Sequence, residues 1–263
     1  MNGLALHIER SGRGAPLVFW HGWGLNLRVF DALRGALGAA GTDWRTEAVD
    51  LPGHGLSPWR EEDADAVLAR LVESLPAGST LVGWSLGGQF ALRAALAAPE
   101  RVARLVLVGA TPRFTSAPDW PQGLPPEALA QMQSRLAEDY RRTVGEFLEL
   151  QVRGSRDAAQ AIAALRAALL RHGEAEPEAL AAGLHWLADH DLRDTLARIR
   201  QPALVIAGQH DRVTPPAASA ALAAALPRAR YLQIARAAHA PFLSHPPEFL
   251  GALLGFLAEA EAA

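Results

Sequence analysis

At 263 residues, half of them hydrophobic, the chain is long enough to bury one large α/β domain. Its net charge of −3 gives no case for nucleic-acid binding. The chain contains no cysteine and no lysine, which excludes disulfides, thiol nucleophiles, cysteine-based zinc sites and lysine-dependent Schiff-base or P-loop chemistry. No apolar run approaches the roughly 20 residues that cross a bilayer, and the first ten residues lack the apolar segment of a signal peptide. We therefore expect a cytoplasmic protein that does not contact membranes.

The first part of the chain alternates short apolar runs with helical patterns. We predict strands over 4–8, 17–20 and 44–49 and helices over 29–37 and 66–75. The strand over 17–20 leads into His21-Gly22-Trp23-Gly24, where the two glycines let the backbone approach a ligand closely. The backbone N–H of Trp23 is therefore a candidate hydrogen-bond donor, and we expect His21 to orient this loop.

A Gly-Trp-Ser-Leu-Gly motif over 83–87 follows a predicted strand, whose three residues 80–82 lead into it, and precedes a helical run, 89–98. This strand–turn–helix context is typical of the nucleophile elbow, in which a serine stands clear of the sheet on a strained turn. One alternative is a glycine-rich turn with an incidental serine. Another is a dinucleotide-binding loop, but Ser85 occupies the position of its middle glycine. We predict that Ser85 is a nucleophile and that the N–H of Leu86 helps to bind an oxyanion.

A long helical segment interrupts the alternation after a predicted strand over 105–108. Residues 113–192, about eighty, show helical patterns over 126–151, 155–171 and 176–190 and no convincing strand. A connection of this length is far beyond the usual 4–6 residues. We therefore predict a helical cap over 113–192, inserted into a core formed by 1–112 and 193–263.

The last part of the chain resumes the alternation, with predicted strands over 203–207 and 229–234 and helices over 217–225 and 247–258. Asp211 follows the first of these strands and His239 the second. Alternating strands and helices predict a mostly parallel sheet, which binds ligands at the carboxyl ends of its strands. Ser85, Asp211 and His239 should therefore converge at one edge of the sheet.

The three side chains in the order Ser, Asp, His form a set that is typical of serine hydrolases. His239 would accept the proton of the Ser85 hydroxyl, and Asp211 would hold the imidazole in the correct tautomer. His245 is an alternative base, and Asp50 lies at a strand end but precedes the serine. We expect mainly structural roles for Asp50 and His54. No histidine pair has H-E-x-x-H spacing, and we expect neither a metal nor a cofactor.

The chain resembles the α/β-hydrolase superfamily and, within it, the pimeloyl-[acyl-carrier protein] methyl ester esterases of biotin synthesis. The resemblance rests on matching segments in the core and cap: 21–26, 50–53, 83–88, 99–102, 120–121, 142–144, 147–151, 237–242 and 244–246. It implies an α/β-hydrolase fold and removal of a methyl ester from a pimeloyl chain held on a carrier protein. It also implies substrate contacts from the cap residues Phe147, Leu148, Glu149, Leu150 and Gln151, although plain helix packing explains the leucines and the phenylalanine equally well.

The implied partner is an acidic acyl carrier protein. Arginine suits phosphate and carboxylate groups, and the cap is rich in it: Arg135, Arg141, Arg142, Arg153, Arg156, Arg166 and Arg171. Glu146 and Glu149 lie among them, so an ordinary solvated face is an equal alternative. We expect a monomer. Two other functions stay open: another esterase or enol-lactone hydrolase on the same scaffold, and a ligand sensor without catalysis.

Overall fold

The computed structural model describes residues 5–41 and 43–259. A seven-stranded sheet forms the centre of the molecule, in the order β1-β3-β2-β4-β5-β6-β7. All neighbouring pairs are parallel except β1 and β3. The strands are β1 (Ile8–Ser11), β2 (Ala15–Trp20), β3 (Trp44–Val49), β4 (Ser79–Trp84), β5 (Val102–Val108), β6 (Ala203–Gly208) and β7 (Ala229–Ile234). The predicted α/β-hydrolase fold is confirmed.

The edge strand lies later in the chain than predicted. The expected strand over 4–8 begins at Leu4, which is outside the described residues, whereas β1 covers Ile8–Ser11 and pairs antiparallel with β3. Arg10 stands opposite Glu47 in this pair, and its Nε donates a 3.0 Å hydrogen bond to the Glu47 carboxylate. A cross-strand ion pair therefore stabilises a strand that lies later in the chain than the hydrophobic pattern predicts.

Helices cover both faces of the sheet because side chains along each strand alternate between faces. The face that includes Trp20 and Leu107 packs under α2, α3 and α8, whereas the face that includes Phe19 and Val106 packs under α1 and α10. These helices are α1 (Asp31–Ala39), α2 (Ala64–Ser74), α3 (Leu86–Ala97), α8 (Pro216–Ala225) and α10 (Pro246–Glu259), with a short α9 (Pro241–Ser244) before the last.

Four helices lie between β5 and β6, within the predicted cap: α4 (Pro126–Glu138), α5 (Tyr140–Val152), α6 (Ala158–His172) and α7 (Pro177–Asp189). The single helix predicted over 126–151 is in fact two. Asp139 has extended backbone angles, and its carboxylate accepts a hydrogen bond from the Arg142 N–H, so it starts a new helix as an N-cap. The domain boundaries at 112 and 193 stay a prediction.

The two chain segments that join these helices to the sheet lie side by side. Arg113 and Asp191 form an antiparallel bridge, and the Arg113 guanidinium donates a 2.7 Å hydrogen bond to the Asp191 carboxylate. Arg193 binds the same carboxylate, and together the hydrogen bonds lower the pKa of Asp191 well below its usual range. Among the described residues, no helix is long and apolar enough to cross a membrane.

Candidate active site

Ser85 lies on a strained turn between β4 and α3. Its φ of 55° and ψ of −116° belong to a region that residues with a side chain rarely adopt. A Cβ on Gly83 would lie 2.6 Å from the Gly87 carbonyl oxygen, and one on Gly87 would lie 2.4 Å from the Trp20 carbonyl oxygen. Only glycine fits at these two positions. The motif therefore specifies the turn for steric reasons.

The loop after β2 lies directly beside Ser85. A Cβ on Gly22 would be 3.2 Å from the Ser85 Cβ, so the backbone at residues 22 and 23 closely approaches the serine. Leu86 is the first residue of α3, and the N–H groups of a first helical turn have no partner within the helix. The positive end of the helix dipole is at the same place. This placement suits the roles predicted for the N–H groups of Trp23 and Leu86, which stay predictions.

His239 and Asp211 form a buried pair at the carboxyl ends of β6 and β7. The His239 Nδ1 lies 2.7 Å from Oδ2 of Asp211, and both side chains are almost fully buried. The other carboxylate oxygen, Oδ1, accepts hydrogen bonds from the N–H groups of Val213 and Thr214, at 2.9 and 2.8 Å. The carboxylate thus holds Nδ1 as the protonated nitrogen, and the buried Nε2 of His239 has no hydrogen-bond partner among the residues that the structure describes.

Two further residues, whose roles the sequence analysis missed, support this pair. One leaves space for it, and the other holds it by a hydrogen bond. Gly109 follows β5 with a φ of +49°, and a Cβ there would lie 2.8 Å from the His239 Nδ1 and 3.2 Å from the Asp211 carboxylate. The Trp84 indole N–H donates a 2.9 Å hydrogen bond to the His239 carbonyl oxygen. The sequence signal for Gly109 was a glycine placed directly after a central strand. No local sequence pattern indicates that the Trp84 side chain bonds the His239 backbone.

An apolar cavity of about 190 Å³ lies between the cap helices and the core, and Trp23, Phe147 and Leu150 line it. The Trp23 indole N–H donates a 2.8 Å hydrogen bond to the Leu180 carbonyl oxygen of α7, and its ring meets Phe147 edge to face. Gly183 of α7 admits this indole, because a Cβ there would lie 2.7 Å from Trp23 Cδ1. Trp23 therefore connects the loop beside Ser85 to the cavity.

Three of the five predicted cap contacts do not line this cavity. Leu148 is buried in the core cluster that contains Phe19. Glu149 is exposed and forms a 2.9 Å ion pair with Arg166. Gln151 is buried, its carbonyl oxygen accepts a 2.9 Å hydrogen bond from the His239 N–H, and its amide Nε2 has no hydrogen-bond partner. Helical spacing explains the split, because only one stripe of α5 can face the cavity.

The alternative bases have other partners. The Nδ1 of His245 lies 2.9 Å from the Ser244 hydroxyl, and burial, followed by the charge of Arg156, lowers its pKa. His21 and His54 each accept a backbone N–H at Nε2, from Leu51 and Gly24 respectively. Burial lowers the pKa of both imidazoles, which keeps them neutral. They hold loops together, as expected for His21 and His54.

Asp50 belongs to a second buried pair. Its Oδ2 lies 2.7 Å from the His172 Nε2 at the end of α6. The same carboxylate accepts backbone N–H groups from Leu27 and Leu56, at 2.8 and 2.9 Å. Asp50 therefore joins two core loops to the cap. His172 also lies near His7 and Glu9, which is the one group of potential metal ligands among the described residues. Arg28 and Arg34 contact Glu9, and their charges oppose a cation there.

Most of the cap arginines are paired with carboxylates. Arg135 and Arg142 contact Glu146, Arg141 contacts Glu174, Arg166 contacts Glu149, Arg171 contacts Asp31, and Arg156 contacts Asp157 and Glu248. Arg153 is exposed and has no ion pair within the described ranges. The cap is therefore closer to a solvated, mutually neutralised face than to a uniformly basic one.

Comparisons with known proteins agree with this architecture. The family described as the alpha/beta hydrolase fold matches residues 15–246. A pimeloyl-[acyl-carrier protein] methyl ester esterase from Nitrosomonas europaea is 42% identical over 94% of this chain and 97% of its own length. One from Photobacterium profundum is 40% identical over 96% and 98%.

Solved structures show the same fold. A bromoperoxidase from Bacillus anthracis superposes with a TM-score of 0.85 at 26% identity, covering 96% of this chain and 95% of its own. An esterase from Exiguobacterium antarcticum gives a TM-score of 0.87 at 23% identity, with the same coverage. The chain therefore belongs to the α/β-hydrolase fold family and, within it, to the family of these methyl ester esterases.

Proposed function

We propose that this protein is a serine carboxylesterase that hydrolyses the methyl ester of a pimeloyl chain on an acyl carrier protein, in biotin synthesis. The products are methanol and the carrier-bound chain with a free carboxylate. The observation that carries the proposal is the 42% identity, over nearly the whole length of both chains, to an esterase named for this reaction. The buried His239–Asp211 pair, at the same sheet edge as the strained Ser85, supports the chemistry.

In the first half of the reaction, the Ser85 hydroxyl attacks the ester carbonyl as the His239 Nε2 accepts its proton. The N–H groups of Trp23 and Leu86 stabilise the oxygen that becomes negative. Collapse of the tetrahedral intermediate expels methanol, which takes the proton from His239. In the second half, water attacks the acyl-enzyme as His239 accepts its proton, the bond between the acyl carbon and the Ser85 oxygen breaks, and His239 returns the proton to that oxygen. The carrier-bound chain leaves as its carboxylate, with loss of a proton to solvent. Asp211 keeps the imidazole in the tautomer that both halves need.

The apolar cavity supports a substrate with a hydrocarbon chain. The backbone of Trp23 directly follows Gly22, which lies beside Ser85, and its indole is in the cavity wall, so the cavity can take the chain that is attached to the reacting carbonyl. The hydrocarbon part of this chain suits the mainly apolar lining. Phe147 and Leu150 are the proposed cap contacts with the chain.

The carrier protein would dock where arginines are not neutralised. Arg153, Arg212 and Arg236 are exposed and have no ion pair with a carboxylate in the part of the chain that the structure describes. The turns that carry them are joined directly: the Gly154 carbonyl accepts a 2.8 Å hydrogen bond from the His210 ring, and the Arg156 N–H donates to the Arg236 carbonyl. Arg212 also lines the cavity. We place this reaction in the cytoplasm, with the enzyme as a monomer.

The decisive experiment compares purified enzyme on three substrates: carrier-bound pimeloyl methyl ester, free dimethyl pimelate and an enol lactone. We expect the highest kcat/KM for the carrier-bound ester. A higher kcat/KM for the lactone would identify another hydrolase on this scaffold. The likeness to an enol-lactonase from Burkholderia xenovorans, at 22% identity and a TM-score of 0.81, shows the fold alone. Failure to hydrolyse even p-nitrophenyl esters would support a sensor instead.

A further inference from the structure

The last two residues of α5 and the turn that follows, residues 151–156, are hydrogen-bonded to both loops that carry the His239–Asp211 pair. We call this segment the cap turn. The Gln151 carbonyl accepts the N–H of His239 at 2.9 Å, and the Ser155 hydroxyl accepts the N–H of Ala238 at 2.9 Å. Two consecutive N–H groups of the His239 loop are therefore held by the cap, although 83 residues separate Ser155 from Ala238.

The same turn also reaches the loop that carries Asp211. The His210 ring nitrogen donates a 2.8 Å hydrogen bond to the Gly154 carbonyl oxygen. The two core loops touch each other as well, because the His210 N–H donates to the Ala237 carbonyl at 2.8 Å. A Cβ on Gly208 would lie 2.0 Å from the Ala238 carbonyl oxygen, so the two loops pack backbone against backbone. The cap turn and both loops form one hydrogen-bonded unit.

The carbonyl side of His239 is held by the core instead, through the Trp84 indole. The backbone of His239 is thus held at its carbonyl by Trp84, the last residue of β4, and at its N–H by the cap turn. We infer that Ser155 is a positioning residue for the reaction: through the Ala238 N–H, its hydroxyl sets the place of the His239 imidazole between Asp211 and Ser85. This inference rests on the proposed function of His239 as the general base.

The physical consequence follows from burial. Ala238 is fully buried, so its N–H loses the acceptor seen in the structure if the Ser155 hydroxyl is removed, and only water entering beside the half-buried Ser155 could replace it. An unsatisfied buried N–H is unfavourable, and the loop would shift to find another partner. Misplacement of a catalytic group by about 1 Å can cost on the order of 100-fold in rate. A partial shift of the imidazole should therefore reduce kcat about tenfold, while the cavity that binds the acyl chain is unchanged.

The test compares Ser155→Ala with Ser155→Thr, which keeps the hydroxyl. We expect Ser155→Ala to lower kcat about tenfold with KM within about twofold of the wild type, and Ser155→Thr to restore at least half of kcat. The matched control is Ser74→Ala at the end of α2, where the hydroxyl bonds only the Leu71 carbonyl. It should leave kcat unchanged. Full kcat in a folded Ser155→Ala protein, or equal losses in the alanine and threonine variants, would overturn the assignment.

A second readout does not depend on the ester. The Nδ1 proton between His239 and Asp211 should give a low-field proton NMR resonance, identified by its loss in Asp211→Asn. In Ser155→Ala we expect this resonance to broaden and exchange faster with water, whereas Ser74→Ala should keep it. An unchanged resonance in Ser155→Ala would overturn the positioning role even if the protein hydrolysed no ester. Failure of the proposed function would instead appear as a wild-type protein with the resonance and no activity.

Discussion

Two buried histidine–aspartate pairs lie in the described part of the chain, with the same distance between the ring nitrogen and the carboxylate oxygen. His239 pairs with Asp211, and His172 pairs with Asp50, each at 2.7 Å. They differ in what surrounds them. The carboxylate of Asp50 accepts backbone N–H groups from two separate loops, and its histidine belongs to the cap. The carboxylate of Asp211 accepts the N–H groups of Val213 and Thr214, in its own loop, and contacts His239.

The two pairs also differ at the ring nitrogen that does not contact the carboxylate, and in whether the aspartate precedes or follows Ser85 in the chain. The Nε2 of His239 is buried and, within residues 5–41 and 43–259, has no hydrogen-bond partner; it lies at the sheet edge where Ser85 stands. His172 uses Nε2 for Asp50, and its ring is tilted by 50° against that of His7, with 5.1 Å between the ring centroids, near the edge strand. A close histidine–carboxylate contact is therefore no sign of catalysis by itself. What matters is whether the nitrogen opposite the carboxylate is left for a substrate or a nucleophile.

The largest expected effect is loss of the nucleophile. Ser85→Ala should lower esterase activity by about 10⁶ and leave the thermal unfolding temperature close to that of the wild type. His239→Ala should be comparably damaging because no other base can take the proton. His245→Ala should be nearly silent. A ranking in which His245→Ala is the worse lesion would show that the wrong histidine had been chosen.

Replacement of each aspartate by asparagine should distinguish the two pairs, because one change should mainly lower activity and the other mainly lower stability. Asp211→Asn should lower kcat by about 10⁴, because the amide favours the wrong imidazole tautomer. Asp50→Asn should cost about 1–3 kcal/mol in the free energy of unfolding, since the buried carboxylate serves two backbone N–H groups and His172. Its kcat should fall less than about tenfold. A folded Asp50→Asn protein that is less active than Asp211→Asn would reverse the assignment.

His190 is half-buried and has a cationic neighbour, because the Arg93 guanidinium lies 3.1 Å from its Nε2. Burial, followed by the charge of Arg93, lowers the pKa of His190 to about 4. Between pH 6.5 and about 4, His190 is protonated in the unfolded chain but neutral in the folded protein. The free energy of unfolding therefore falls as the pH drops through this window. The loss of stability from this group is at most about 3 kcal/mol.

Denaturant unfolding at several pH values should show that acid lowers the free energy of unfolding less in His190→Gln than in the wild type. His185→Gln, at an exposed position of α7, the helix that His190 follows, is the control and should keep the wild-type slope.

The smallest expected effect concerns docking of the carrier protein. Arg153→Glu with Arg236→Glu should raise KM for the carrier-bound ester by about three- to tenfold at low salt, since neither arginine has an ion pair to lose. The matched pair, Arg142→Glu with Arg156→Glu, changes arginines that already contact Glu146, Asp157 and Glu248, and should have less effect. Dimethyl pimelate is the control substrate, and its KM should not change. The difference should shrink toward 1 M salt, where the Debye length is about 3 Å. Equal effects on both substrates would point to a disturbed cap instead of a docking surface.

The sequence alone determined the fold and the order of the candidate residues. The strand–turn–helix context of Ser85, with glycines at 83 and 87, is local information, because the steric demands of that turn involve residues within a few positions. The alternation of strands and helices then specified a parallel sheet, which placed Asp211 and His239 at the carboxyl edge. The long segment between the strands at 102–108 and 203–208 identified the inserted helices.

Only the tertiary structure decided which groups meet across long separations in the chain. The sequence did not reveal that Asp50 pairs with His172, that Gly109 makes room for the imidazole, or that Ser155 holds the loop of His239. These contacts join segments 83 to 130 residues apart, and no local pattern encodes them. The ion pairs of the cap arginines were likewise not indicated by the sequence. Helical spacing shows which side chains share a face, but packing decides whether that face meets a carboxylate, a substrate or water.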